Sequence, residues 1–210
     1  MKNGLIARYR DWWTRLFVRF VHGGVEKVDR ISTSNGEQTV YYFSSDSAII
    51  GQKTWGAETI LLNKPQFEHL PDLSAERTVE HEVGHLNRHS IWNGIFWGSV
   101  VSLAFGIVSF LLLLTLSVIH KFPILGYPRL LLIISGMVVV GLFALKMNEL
   151  LAELYVLDQL SEEEYLKAEE EMPVYDVSKK AAIAAEIVYP SPETVVKVHR
   201  IKEDLKARIS

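Results

Sequence analysis

Residues 81–85 read His81-Glu82-Val83-Gly84-His85, an H-E-x-x-H. On a helix, positions i and i+4 share a face, so both imidazoles can reach one metal ion. Glu82 stands beside them and can take a proton from a water held by that ion. With seven histidines in 210 residues, a chance H-E-x-x-H is rare. The bland alternative is a pair of histidines on a solvated helix. Zinc (Zn2+) is the metal expected, because imidazole suits it and nothing in the chain calls for redox chemistry. The chain has no cysteine, which excludes disulfides, thiol nucleophiles, iron–sulfur clusters and Cys-based zinc sites. His and carboxylate are left as the strong zinc ligands.

A catalytic zinc takes three protein ligands and keeps one position open for water. His89 continues the face of His81 and His85, but histidines at i, i+4 and i+8 of one straight helix cannot all close around one ion. Further on the chain reads Asn148-Glu149-Leu150-Leu151-Ala152-Glu153. Glu149 and Glu153 share one helix face, and either carboxylate is a candidate. The surrounding Leu150, Leu151, Leu154 and Leu157 make this helix mostly apolar rather than a solvated acidic face.

The elements that must bring these motifs together follow from the pattern. Residues 26–43 predict a β-hairpin around the turn signal Ser34-Asn35-Gly36. Two short strands follow, near Ser47–Gln52 and Glu58–Leu62. Pro71 marks a break, and Ser74 is placed to cap the helix that carries the histidines. Residues 91–145 then hold only Lys121 and Arg129 and no acid. Ile91–Ile119 is long enough to span a bilayer, and Leu130–Leu145, extended by Arg129, Lys146 and Met147, nearly so. Two helices in a hairpin return the chain to its starting side. That brings Glu149 and Glu153 back beside His85, which lies ~9 Å along a helix from Ile91. The alternative is a buried helical pair in a soluble protein. The apolar block also explains a mean hydropathy of +0.14 in a chain that is 22% charged.

The expected organisation is an amphipathic interfacial helix at 1–22, a sheet with the H-E-x-x-H helix at 23–90, a transmembrane hairpin at 91–147 and a third-ligand segment at 148–210. Arg and Asp interrupt the N-terminal apolar run, so it does not read as a signal peptide. Trp12, Trp13, Leu16, Phe17, Phe20 and Val21 recur at helical spacing with Arg15 and Arg19 elsewhere, which suits the membrane interface or packing on the domain. Ser161-Glu162-Glu163-Glu164 predicts a capping box, and the acids through Glu171 a solvated helix. His199, among Lys197, Arg200 and Lys202, reads as a solvated residue of the last helix. The net charge of −3 and pI near 6.2 argue against a nucleic-acid partner.

On these motifs the chain resembles the integral-membrane gluzincin peptidases of the M48 type, the group of the heat-shock peptidase HtpX and the CaaX prenyl endopeptidases. Their pattern is H-E-x-G-H, one or more membrane helices, then E-x-x-A-D on a later helix. The first motif matches fully, and the second matches with Glu153 in place of Asp. The resemblance implies that Glu149 is the third zinc ligand and that Glu153 holds a ligand His in position. It implies an α+β fold, with a small antiparallel sheet, zincin-like helices and the transmembrane hairpin between the zinc motifs. It also makes 47–51 and 59–62 the two strands before the helix, the second being the edge that binds substrate backbone. Where the family often has His-Pro, this chain has Tyr189-Pro190. Tyr189 is therefore a candidate oxyanion donor, or else marks a helix stop before Pro192 opens the last helix.

The expected function is a zinc metalloendopeptidase of unfolded or membrane-proximal proteins, with partners limited to a protein or peptide substrate and the lipid bilayer. The positive-inside bias puts the active site on the cytoplasmic side of the plasma (inner) membrane. The rival readings are a non-catalytic membrane adaptor that retains a zinc site and an intramembrane site-2-type protease. The charged flanks Glu76, Arg77, Glu80 and Arg88 are wrong for the latter. Nothing in the sequence supports CaaX processing.

Overall fold

A computed structural model describes residues 2–46, 49–54, 59–87, 90–120, 128–173 and 187–209. It is a mixed α and β structure with one four-stranded sheet and two long apolar helices. The elements are α1 (Lys2–His22), β1 (Lys27–Thr33), β2 (Gly36–Phe43), β3 (Gly51–Lys53), β4 (Ile60–Asn63), α2 (Lys64–Phe67), α3 (Asp72–Leu86), α4 (Ser90–His120), α5 (Pro128–Leu157), α6 (Glu162–Glu170) and α7 (Pro192–Ile209). They divide into two compact units. The first holds residues 1–87, 151–181 and 191–210, and the second holds 88–150 and 182–190.

In the first unit, β1 and β2 form the expected hairpin, closing at Thr33↔Gly36, where Gly36 has φ +89°. A left-handed φ suits glycine because it has no Cβ. The sheet order is β1-β2-β4-β3. The sequence predicts an antiparallel sheet; the sheet is mixed, because β2 and β4 run parallel while β3 and β4 pair antiparallel. Composition explains the order. All four residues of β4, Ile60-Leu61-Leu62-Asn63, are buried, so this strand needs a neighbour on each side. Gly51-Gln52-Lys53 is only half-buried and takes the edge. The strand expected at the edge, 59–62, is thus interior, and β3 is the edge strand in its place.

Alternation along β2 sorts its side chains to two faces. Val40 and Tyr42, with Ile60 and Leu62 of β4, pack on Val79 and Val83 of α3. Tyr41, Phe43 and Leu61 pack on Val18 of α1. The sheet is the middle layer between α1 and α3. Burial pushes the Tyr41 hydroxyl up to about 12, and the hydrogen bond it donates to Asp11 of α1 acts the same way.

The start of α3 differs from expectation. The helix begins at Asp72, whose carboxylate suits the positive end of the helix dipole, and Pro71 occupies the capping position. Ser74 is inside the helix and buried, and its hydroxyl donates to the Ala168 carbonyl of α6 at 2.9 Å. A hydroxyl with a tertiary acceptor has no need of a capping role. The Ser161 capping box at α6 is present as expected, with the Ser161 hydroxyl and Glu164 reciprocally bonded.

The second unit takes α4 and α5 as far as Leu150. The two helices contain stretches of 23 and 27 residues, Ile95–Ser117 and Leu131–Leu157, each long and apolar enough to cross a membrane. As expected of a second apolar helix that carries on past Lys146, α5 runs unbroken through Leu157 and includes Glu149 and Glu153. The two helices pack antiparallel through small residues. A Cβ added at Gly106 would lie 3.2 Å from Met137 Cβ, and one at Gly141 would run into Leu103. Glycine at such crossings lets backbones approach, as in membrane helix pairs. Val101, Phe105, Val108, Leu112, Ile133 and Phe143 are exposed. The hairpin loop at 121–127, the residues 47–48 of the predicted third strand, and His89 lie outside the described residues.

Candidate metal centre

Helix α3 presents the histidines because its Val79 and Val83 are anchored in the sheet core, which fixes its rotation. His81 and His85 lie one turn apart and meet ring edge to ring face, with planes at 89°. Their Nε2 atoms are 3.1 Å apart. Two nitrogens on one tetrahedral zinc, each bonded at about 2.0–2.1 Å, stand about 3.3 Å apart. The pair therefore fits one zinc ion with a shift of a few tenths of an ångström. His81 and His85 belong to the first unit and Glu149 to the second, and each carries an atom that could bind a metal ion. This is a group of residues that can hold a metal ion.

Glu153 sits one helical turn beyond Glu149 on α5. Its Oε1 lies 2.9 Å from His81 Nδ1. A neutral imidazole has one N–H; if Nδ1 carries it toward Glu153, the lone pair at Nε2 faces the metal position. Replacing Glu153 by Gln keeps the shape but removes the charge. The affinity of the pair for zinc, the metal expected from the sequence, should then fall about 10–100-fold in competition with a chelating dye.

Behind Glu153 is a group that the sequence reading missed. The Arg77 guanidinium, one turn before His81, donates from Nη2 to Glu153 Oε1 at 2.8 Å and also pairs with Glu169 of α6. The Tyr165 ring lies 5.4 Å from the guanidinium carbon. Burial opposes the Arg77 charge, but Glu153 and Glu169 outweigh it and raise its pKa. Burial raises Glu169 above the usual carboxylate range, with Arg77 pulling the other way. The sequence reading placed Glu169 on a solvated helix; its side chain is only 26% exposed and lies against Arg77. The available signal was spacing, since Arg77 lies four residues before His81 and shares its helix face.

Backbone approach accounts for the small residues in both motifs. A Cβ added at Gly84 would stand 3.0 Å from the Cα and carbonyl oxygen of Ala152 and from Tyr155 Cβ. Two of these three are backbone atoms, which cannot swing away. Gly84→Ala would gain about 1 kcal/mol of helix propensity, so Gly84→Val, with more bulk and little such gain, is the cleaner probe. It should lose about 1–3 kcal/mol in denaturant unfolding through overpacking.

Glu82 is buried, 5% exposed, beside the edge strand. A Cβ at Gly51 would come within 3.1 Å of Glu82 Oε1, so the glycine lets β3 lie against this carboxylate. Tyr189 is about half exposed and belongs to the second unit. Ser191 accepts from the Thr194 N–H at 3.4 Å and Pro192 opens α7, which is the helix start that was the bland expectation there. A second cluster, Asp158, His199 and Glu203, is more exposed. Lys202 Nζ lies 2.6 Å from both Asp158 oxygens, and His199 Nε2 is 3.2 Å from Oδ1, so His199 is partnered rather than simply solvated.

No family model, curated protein or solved structure matches the chain.

Proposed function

We propose that this chain is a membrane-anchored zinc endopeptidase of the M48 type with a zincin-like catalytic core. The convergence of the His81 and His85 Nε2 atoms, with Glu153 behind His81, carries the reading. His81, His85 and Glu149 would hold the ion. When bound, zinc supplies Lewis acidity and lowers the pKa of a water toward ~7. Glu82 accepts a proton from the attacking water and delivers it to the leaving amine nitrogen. Strand β3, at the end of the sheet order and beside Glu82, is where an extended substrate would add as a further strand. The α4–α5 hairpin anchors the chain in the membrane, and the basic N-terminal flank puts the site on the cytoplasmic side of the plasma membrane. The H-E-x-x-H helix α3 is not one of the two apolar spans, which favours chemistry at the surface over an intramembrane site.

The test is metal dependence in the full-length chain in detergent. It should purify with stoichiometric zinc and cleave casein. 1,10-Phenanthroline should abolish both and added zinc should restore both. Cleavage indifferent to the chelator, or zinc without any cleavage, overturns the proposal, and the second result leaves the adaptor reading.

A further inference from the structure

Helix α1 has two opposite faces, and the fold uses only one. Thr14 and Val18 are fully buried against the sheet, with Thr14 Oγ1 2.8 Å from Thr59 Oγ1 and Val18 packed on Tyr41, Phe43 and Leu61. At 3.6 residues per turn, Leu5, Tyr9, Trp12, Leu16 and Phe20 form a single stripe on the other side. Leu5, Tyr9, Trp12 and Phe20 are exposed, Phe20 to 81%, and Leu16 is half-buried. Packing on the domain thus occupies one face of α1 and leaves the apolar stripe on the other exposed.

Charge decides what covers the free stripe. The helix holds five Lys and Arg residues and one acid, Asp11. Asp11 is already engaged by Arg15 and by the Tyr41 hydroxyl. The whole chain is nonetheless at −3, so positive charge is concentrated on this element. Arg8 and Arg19 are exposed along one border of the stripe. A second copy docking face to face would bring two such borders together and repel. A surface that is apolar beneath an anionic layer satisfies both features at once.

We infer that the exposed face of α1 lies on an anionic lipid surface. The stripe enters the acyl boundary by about 5–10 Å. Tyr9 and Trp12 take the headgroup level that amphipathic rings prefer. Arg8 and Arg19 meet lipid phosphates. The two apolar spans of the same chain make a bilayer the surface at hand. The inference does not depend on the metal centre, so failure of either leaves the other standing.

The absence of cysteine permits a clean test. Full-length Trp12→Cys, Phe20→Cys and Arg8→Cys proteins are spin-labelled and reconstituted in phosphatidylcholine vesicles with or without phosphatidylglycerol. With phosphatidylglycerol, the labels at 12 and 20 should become several-fold more accessible to oxygen relative to a water-soluble nickel chelate than the label at 8. The contrast should shrink in phosphatidylcholine alone, at high salt, and in an Arg8→Gln/Arg19→Gln background carrying the label at 20. Full water accessibility at 12 and 20 in every vesicle overturns the inference, as does protection indifferent to lipid charge. Dipolar broadening between labelled chains, or protection that persists in lipid-free detergent, overturns it in favour of a second copy or another protein. Phe20 touches little, so its label reports even if the change at Trp12 disturbs folding.

Discussion

Glu82→Gln should retain the parent's zinc content while casein cleavage falls by about 10²–10⁴-fold, the range for loss of a positioned general base. The two properties separate because Glu82 is not one of the three ligands proposed for the ion, whereas His81 and His85 are. Gln has nearly the shape of Glu, so the packing of this buried position against β3 is kept. What it lacks is a carboxylate able to take and return a proton. His81→Ala is the useful contrast, since it should lose zinc and cleavage together. Metal analysis beside a cleavage assay on the same preparations distinguishes the cases. Full cleavage by Glu82→Gln would remove Glu82 from the chemistry. Loss of zinc would make it part of the metal's hold instead.

The candidate site was legible where one helix or one helical period sufficed. The His81–His85 pairing needs only i, i+4 spacing, and the Glu149–Glu153 pairing the same. The two apolar helices were legible because 55 residues without an acid have few alternatives. Strand order was not, because a short strand's partners depend on burial. Ile60–Asn63 and Gly51–Lys53 differ in how much of each needs covering, and that difference, not propensity, put β4 inside and β3 at the edge. The Arg77–Glu169 pairing was hidden for another reason. In sequence Glu169 is one of a run of acids on an exposed-looking helix, and only the packing of α6 on α3 selects it. Ser74 misled likewise: its type suits a cap, but a distant carbonyl claims its hydroxyl.

Arg77→Met should be the most damaging single change to stability outside the proposed metal ligands. The guanidinium side chain is 11% exposed and lies between Glu153, 6% exposed, and Glu169. Removing one partner of a buried ion pair typically costs about 3–5 kcal/mol, because the other charge stays behind without compensation. The lower end is expected, since Glu169 keeps some contact with solvent. The loss should depend on pH with a definite sign. Burial already raises Glu169 from its ordinary value, and without Arg77 the largest influence opposing that rise is gone, leaving only the smaller one of His81. A carboxyl whose folded pKa lies above its unfolded value contributes its stability fully below the unfolded value, and loses it as pH climbs through the folded one. The deficit of Arg77→Met against the parent should therefore be largest at neutral pH and narrow toward about 4.5. Urea unfolding of zinc-stripped protein at several pH values measures it without interference from metal release. Adding Glu169→Met to Arg77→Met should recover part of the neutral-pH loss by removing one stranded acid, whereas Arg77→Lys should fall between parent and Met because it keeps the charge without the planar fork. A deficit that is flat with pH, or a double variant no better than the single, would mean that packing of the Arg77 stem rather than its charge holds α3 to α5 and α6.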